Sequence, residues 1–293
     1  MTHASPARPL LIAQLTDLHL GFERDRADEP NRLRLDKVVA AIGALDPAPD
    51  LIVVSGDLVE HGDAASYARV REALAPLRAP VRLMLGNHDA RAAFAAAFAD
   101  VPLSDGFLHH VVEEAGLRCI LLDTLEEGRH GGAFCATRAA WLSARLAEAP
   151  DAPTLIFLHH PPCVTGIPWM DVDPAEPWLE RLRGALAAGR NVVGLVSGHL
   201  HRAIAARWAG LPVTVAPSVA PRVALELGPI DPDKPDGRRL IVDGTPGYAL
   251  HRWDGEALVS HFVLIDDAPA VAFYDEKLRG MIAEMAAERP GGR

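Results

Sequence analysis

Short apolar runs rich in β-branched residues punctuate the first two thirds of the chain, and each ends in a polar cluster. Leu10–Leu15 leads into Thr16-Asp17-Leu18-His19, and residues 51–54 lead into Ser55-Gly56-Asp57. Residues 81–85 lead into Gly86-Asn87-His88-Asp89, Thr154–Leu158 into His159-His160-Pro161-Pro162, and residues 192–196 into Ser197-Gly198-His199-Leu200-His201. Runs of this length, bounded by glycine or polar residues, read as buried strands. Between them, residues 31–45, 63–77, 136–147 and 175–188 place apolar side chains three and four apart, the helical period. Strands alternating with helices predict mainly parallel pairing in a layered α/β domain. In such domains ligand-binding groups gather beyond the carboxyl ends of the strands. Polar clusters at successive strand ends therefore point to one shared site.

The rest of the chain carries weaker patterns. Residues 107–124 read as two strands around Glu113-Glu114-Ala115-Gly116, and 138–146 as an amphipathic helix with Trp141 in the core. The proline-rich stretch 161–177, with Trp169 and Met170, is expected to form one wall of a pocket. Residues 203–208 and 211–216 pair, and 248–253 with 257–264 form a hairpin around Asp254-Gly255. Residues 222–244 match no regular pattern and read as an excursion or a lid. Residues 275–288 form a helix with Leu278, Met281, Ile282 and Met285 in a stripe, suited to packing on the same domain or on a partner subunit. The expected organisation is a main domain over 1–216 and a C-terminal extension over 217–293, with a homo-oligomer left open.

Composition narrows the class. The 293 residues carry 29 Lys+Arg against 39 Asp+Glu, a formal net charge of −10. That balance argues against duplex nucleic acid as a partner, because such binding relies on cationic side chains against phosphates. No apolar run approaches the ~20 residues of a membrane helix, and residues 1–15 lack the continuous apolar stretch of a signal peptide. The three cysteines, Cys119, Cys135 and Cys163, are scattered with no CxxC, which fits a reducing cytoplasm better than a disulfide framework.

The clusters are built from Asp, Asn and His, a donor set that suits Zn²⁺, Mn²⁺ or Fe. Asp17 with His19, and His199 with His201, stand two apart, and in extended backbone such neighbours point the same way. Gly56, Gly86 and Gly198 each precede a candidate ligand, where a missing side chain permits close approach. Singly, each cluster has a bland reading as a solvated loop, a turn or a helix cap. Asp89, for instance, suits either capping a helix over 90–98 or orienting a histidine ring. Together, and in this order, they point to a shared metal site.

Asp17-x-His19, Gly56-Asp57, Gly86-Asn87-His88-Asp89, His159 and Gly198-His199-x-His201 resemble the five blocks of the calcineurin-like metallophosphoesterases. The resemblance spans roughly residues 10 to 205. His159-His160-Pro161-Pro162, the loop Gly166-Ile-Pro-Trp-Met-Asp171 and Pro246-Gly247-Tyr248 are similar to the class III cyclic nucleotide phosphodiesterases and to bacterial glycerophosphodiesterases. The resemblance implies a four-layer αββα sandwich of two mixed sheets flanked by helices. It also implies two divalent ions (Mn²⁺, Fe or Zn²⁺), one on Asp17, His19 and His201, the other on Asn87, His159 and His199, with Asp57 bridging. His160 is then expected beside the ligands, with His159 as the donor. The implied reaction is hydrolysis of small phosphodiesters, cyclic nucleotides first, by a metal-bridging hydroxide. Glycerophosphodiesters, other diesters and phosphomonoesters follow as alternatives, and a non-catalytic binding protein is the remote one. Asn87, His88 and His201 would contact the substrate, and His88 would protonate the leaving alkoxide, since imidazole titrates near neutral pH. Two carboxylates and one hydroxide leave such a pair of ions net positive, which attracts a small anionic phosphodiester despite the charge of the whole chain.

Overall fold

The structure is a computed structural model that describes residues 8–24, 26, 28–266 and 268–289. β1 (Leu10–Leu15), β2 (Leu51–Ser55) and β3 (Val81–Met84) pair in parallel and alternate with α1 (Pro30–Gly43), α2 (Ala64–Leu74) and α3 (Arg91–Ala97). β4 (His110–Glu114) and β5 (Leu117–Leu122) form a hairpin, and β6 (Thr154–Leu158), β7 (Val192–Ser197) and β9 (Leu211–Val215) continue from β5 in parallel. β8 (Ile204–Trp208) closes that sheet antiparallel to β9, while α4 (Ala136–Glu148) and α5 (Pro177–Leu186) cover it. After a short ribbon of β10 (Arg222–Val223) and β11 (Ile241–Val242), β12 (Gly247–Trp253) and β13 (Leu258–Leu264) return to the first sheet, and α6 (Arg279–Ala287) follows. The strand orders are β13-β12-β1-β2-β3 and β4-β5-β6-β7-β9-β8.

The period-two alternation of β1 shows why the runs are continuously apolar. Leu10 and Ile12 face the second sheet, whereas Ala13 and Leu15 face the helices. Both faces of β1, β2, β5 and β6 are covered, so their runs are almost wholly apolar. Leu35, Val38 and Ile42 of α1 pack with Tyr67 and Val70 of α2 and Phe94 of α3 on one side. Leu142 and Leu146 of α4 pack with Trp178 and Leu182 of α5 on the other. Between the sheets, Leu51, Val53 and Met84 meet Cys119, Leu155, Phe157 and Val196. The result is the expected αββα sandwich of two mixed sheets.

One polar side chain enters the inter-sheet layer at its carboxyl end. The Gln14 amide, fully buried, donates to Ser55 Oγ (2.8 Å) on the first sheet and to the Ser197 carbonyl (3.1 Å) on the second. Its oxygen meets His251 Nε2 at 3.0 Å. The two sheets are thus pinned together just before the polar loops at the strand ends begin. β12 pairs with β1 from Leu10↔Trp253 to Gln14↔Ala249, so the 247–264 hairpin widens the first sheet. α6 contributes no buried residue. Trp141 is only partly buried and stacks on His109 at 4.4 Å.

Phe157 is fully buried where the sheets meet. Phe157→Ala is expected to lower unfolding stability by about 3–5 kcal/mol, read as a shifted midpoint with unchanged slope in urea denaturation.

Candidate metal centre

Asp17 and His19 leave the carboxyl end of β1, Asp57 that of β2, Asn87 and His88 that of β3, His159 that of β6, and His199 and His201 that of β7. The two-apart pairs are not extended, as their spacing suggested. Asp17, His19, Asp57, His199 and His201 all have positive φ, between 47° and 71°. Each such turn costs on the order of 1–3 kcal/mol in a non-glycine residue, so the surrounding structure must hold it. Leu18 and His19 N–H both donate to the Asp57 carbonyl (2.8 and 3.0 Å), which locks the exit of β1 onto that of β2. Ala220 N–H donates to the Asp17 carbonyl at 3.0 Å, and the buried Asn31 amide to the His19 carbonyl at 3.0 Å. Gly86 has no room for a side chain: a Cβ there would stand 2.2 Å from Asp57 Oδ1 and 2.6 Å from His159 Nε2.

The imidazoles are oriented by their outer nitrogens. His19 Nδ1 lies 2.6 Å from Glu60 Oε2, His159 Nδ1 2.9 Å from the Ser55 carbonyl, and His201 Nδ1 2.7 Å from the Pro221 carbonyl. These partners accept and do not donate, so each Nδ1 carries the proton and each Nε2 presents a lone pair. The Nε2 atoms converge on the carboxylates. His19 is 3.5 Å from Asp57 Oδ2, His159 3.3 Å from Asp57 Oδ2, and His201 3.4 Å from Asp17 Oδ1. His19 Nε2 and His201 Nε2 stand only 3.2 Å apart. Asn87 Oδ1 and His159 Nε2 are buried with no hydrogen-bond partner. Acceptors facing acceptors are reconciled by a cation between them, and these nitrogen and oxygen donors fit divalent ions.

The carboxylates and imidazoles shift one another's protonation. Burial would lower the His159 pKa, but Asp57 and then Asp17 outweigh it and push it up to about 9. His201 is raised in the same way: burial opposes, and Asp17 wins. Burial would raise both aspartates. His201 and His159 nevertheless hold Asp17 near 2, and His159 and His19 hold Asp57 well below the usual carboxylate range. His199 goes the other way, to about 3, because burial and the charge on His159 both disfavour its protonated form.

Asp17, His19, Asp57 and His201 offer donor atoms within 4.8 Å of one another, and so do His159, His160 and His199. His160 does not approach the carboxylates as His159 does: its Nδ1 lies 2.8 Å from Thr124 Oγ1 and its Nε2 has no partner. His88 N–H donates to Asp57 Oδ1 at 2.9 Å, and its Nδ1 lies 3.1 Å from the Glu60 carbonyl. Asp89 neither caps α3, whose cap is Ala90 without a side-chain bond, nor touches an imidazole through a hydrogen bond. Its carboxylate accepts from Gly86 N–H (2.8 Å), Leu58 N–H (3.2 Å) and Tyr67 O–H (3.1 Å), joining the Asp57 and Asn87 loops. Burial, aided by the charge of Asp57, pushes its pKa up to about 7. Sequence reasoning missed Glu60, whose one signal is its place three residues after Asp57 beside β2.

His19, Asp57, Asn87, His88, His199 and His201 line a cavity of about 800 Å³. As expected, Trp169 and Met170 of the proline-rich loop form part of its wall, and Val223 and Ile241 bring the 222–244 excursion to it. Among the described residues lining it there is neither lysine nor arginine.

Oxygen and imidazole donors converging at the carboxyl ends of two stacked sheets define a metal-dependent phosphoesterase architecture. The chain belongs to the calcineurin-like phosphoesterases, whose family profile matches residues 10–203. Members of this family use a dinuclear divalent metal centre. Over 202 residues the chain is 40% identical to a probable cyclic nucleotide phosphodiesterase of Rhodopseudomonas palustris, covering 66% of this chain and 72% of that one. It is 30% identical over 277 residues to the probable glycerophosphodiester phosphodiesterase GpdQ of Arcobacter nitrofigilis, covering 92% and 98%. Among solved structures, a dimetal phosphatase from Danio rerio superposes with a TM-score of 0.60 at 14% identity, over 89% of this chain and all of that one.

Glu60→Gln removes the charge that orients His19. It is expected to weaken Mn²⁺ binding about 10–100-fold, measured by calorimetry against a competing chelator. Metal must also displace the proton that His159 holds up to about pH 9. Affinity should therefore fall about tenfold per unit as pH drops below that value, with proton release visible in buffers of different ionisation enthalpy.

Proposed function

We propose that this chain is a metal-dependent phosphoric diester hydrolase whose first substrates are 3′,5′-cyclic nucleotides such as cyclic AMP. The observation that carries this reading is the pairing of the candidate metal-ligand cluster with a cavity whose described lining holds no lysine or arginine and is walled by Phe22, Trp169 and Met170. A phosphomonoester dianion calls for fixed cations beyond the metals. A diester monoanion needs fewer, and a nucleobase fits an apolar, aromatic wall.

Asp17, His19 and His201 would hold one ion and Asn87, His159 and His199 the other, with Asp57 shared between them. Two such ions lower the pKa of water and neutralise charge that develops on phosphate oxygens. The chain's own groups do the rest. Asn87 and His201 line the cavity; with its Oδ1 toward an ion, the Asn87 amide N–H is left to hold a phosphate oxygen, whereas both His201 nitrogens are already engaged. His88 is fixed by its backbone bond to Asp57 and by Nδ1 against Glu60, so its Nε2 is free to carry a proton to the departing alkoxide. Mn²⁺, Fe and Zn²⁺ all suit the donors. The three cysteines are free, which supports a reducing, cytoplasmic setting. A second reading, hydrolysis of glycerophosphodiesters, draws support from the glycerophosphodiesterase relative, whose similarity runs along nearly the whole chain.

The Mn²⁺-loaded protein is expected to hydrolyse cyclic AMP, and loss of hydrolysis of every diester with Mn²⁺, Fe²⁺ and Zn²⁺ would end the reading. His88→Ala should lower kcat on diesters with alkoxide leaving groups about 10²–10⁴-fold. It should cost far less on bis-p-nitrophenyl phosphate, whose phenolate leaves without an acid. Equal losses on both would remove His88 from that role.

A further inference from the structure

The metal cavity opens onto aliphatic surface that a small polar diester cannot use. Phe22 and Ile241, which line the cavity, are 64% and 52% exposed. Leu225, Leu227 and Val164 lie beyond the lining and are each more than half exposed. Leucine and valine stand singly on many surfaces, but a cluster of them continuous with a ligand cavity marks a binding surface.

The backbone assembles this cluster. Ala224 N–H donates to the Leu240 carbonyl at 2.8 Å, extending the β10–β11 ribbon past the cavity lip and placing Leu225 and Leu240 on it. Leu227 reaches across to the proline-rich loop, where a Cβ on Gly166 would lie 3.6 Å from its Cδ2. The Asp171 carboxylate ties that loop down through Thr165 N–H (2.7 Å) and Gly166 N–H (2.8 Å). Aliphatic side chains of the excursion and the loop, with the Glu226–Arg239 ion pair among them, border a trough that would continue the cavity outward. A nucleobase would be accommodated within the cavity itself and would leave Leu225, Leu227 and Val164 in water.

We propose that the same site accepts phosphodiesters bearing one long aliphatic arm, of the single-chain phospholipid class, with the arm lying in this trough. The inference rests on the phosphodiesterase reading of the cavity. In the reaction, water adds to phosphorus and one P–O ester bond breaks. The head-group alkoxide takes a proton from His88 and leaves as an alcohol, and the alkyl phosphate remains.

Alkylphosphocholines from butyl to decyl, used below their micellar concentrations, test this on the full chain. They are phosphodiesters, and their zwitterionic head group is net neutral, so metal-free protein can bind them. Trp169 and Trp178 line the cavity and report binding by fluorescence. Each added methylene is expected to tighten Kd about threefold until the trough is filled. In Mn²⁺-loaded protein, kcat/KM for choline release should rise in parallel. Leu225→Ser/Leu227→Ser should lower the ratio of decyl to butyl affinity by about tenfold or more, from the lost apolar contact.

Chain-length independence in the wild type overturns the proposal. So does a steep dependence that the double substitution leaves unchanged, or a dimer in light scattering whose interface protects these leucines from the amphiphile. Hydrolysis of cyclic AMP without any chain-length effect defeats this inference alone. Absence of all diester hydrolysis defeats the enzymatic reading, and the metal-free titration then still decides whether the trough binds aliphatic chains.

Discussion

Asp17 and Asp57 are buried carboxylates ringed by imidazole lone pairs, and the site makes physical sense only around positive charge. His19, His159 and His201 have Nδ1 committed to an acceptor, namely Glu60 and the carbonyls of Ser55 and Pro221. Unpaired, such a cluster is among the costliest things a protein interior can hold. Protons relieve it partly, as the raised pKa values of His159 and His201 show. Divalent cations relieve it fully, because one ion satisfies several donors at once.

Holding the donors in place has shaped the surrounding backbone. Five candidate ligand residues sit in the left-handed region, and the strain is absorbed by bonds between strand exits rather than within them. Arg34 on α1 illustrates how far this support extends. Its guanidinium donates to the Val219 carbonyl at 2.7 Å and also to the Gly244 carbonyl. That clamps the stretch leading to Pro221, whose own carbonyl aims His201. Gln14 pins the two sheets just beneath. The loops that carry chemistry are therefore built on a scaffold that cannot easily relax.

The parts of this arrangement that announce themselves in the sequence are side chains at strand ends. Buried strands are long apolar runs, and Asp-x-His, Asn-His and His-x-His after them have no packing purpose, so the fold class and the converging residues could be read directly. Spacing alone does not distinguish an extended Asp17-Leu18-His19 from a left-handed one, because both bring the two side chains toward one centre. Glu60 was hidden in an ordinary polar string, Glu60-His61-Gly62-Asp63, where a solvated turn is the common meaning. The carbonyls of Ser55 and Pro221 carry no residue-specific signal at all, since any residue supplies one. Asp89 was misassigned because Asp before a helix usually caps it. Here Tyr67, from a different helix, captures the carboxylate instead. Residues 222–244 lack periodicity because their regular structure is limited to the two-residue strands β10 and β11, too short to show a period, even though Val223 and Ile241 reach the cavity.

Substrate attraction follows from the same electrostatics. The whole chain carries −10, and the described cavity lining includes Glu23, Glu29 and Glu60 with no lysine or arginine among the described residues to offset them. A bare site would therefore repel a phosphodiester monoanion. Bound divalent ions reverse the local field over a few ångströms, where their charge outweighs the diffuse and screened charge of the surface. Anion affinity thus depends on the metals themselves rather than on a separate basic pocket, so metal occupancy governs both substrate binding and turnover. The apolar walls then add affinity that is independent of charge, and discrimination among diesters passes to the shape and chemistry of the ester arms.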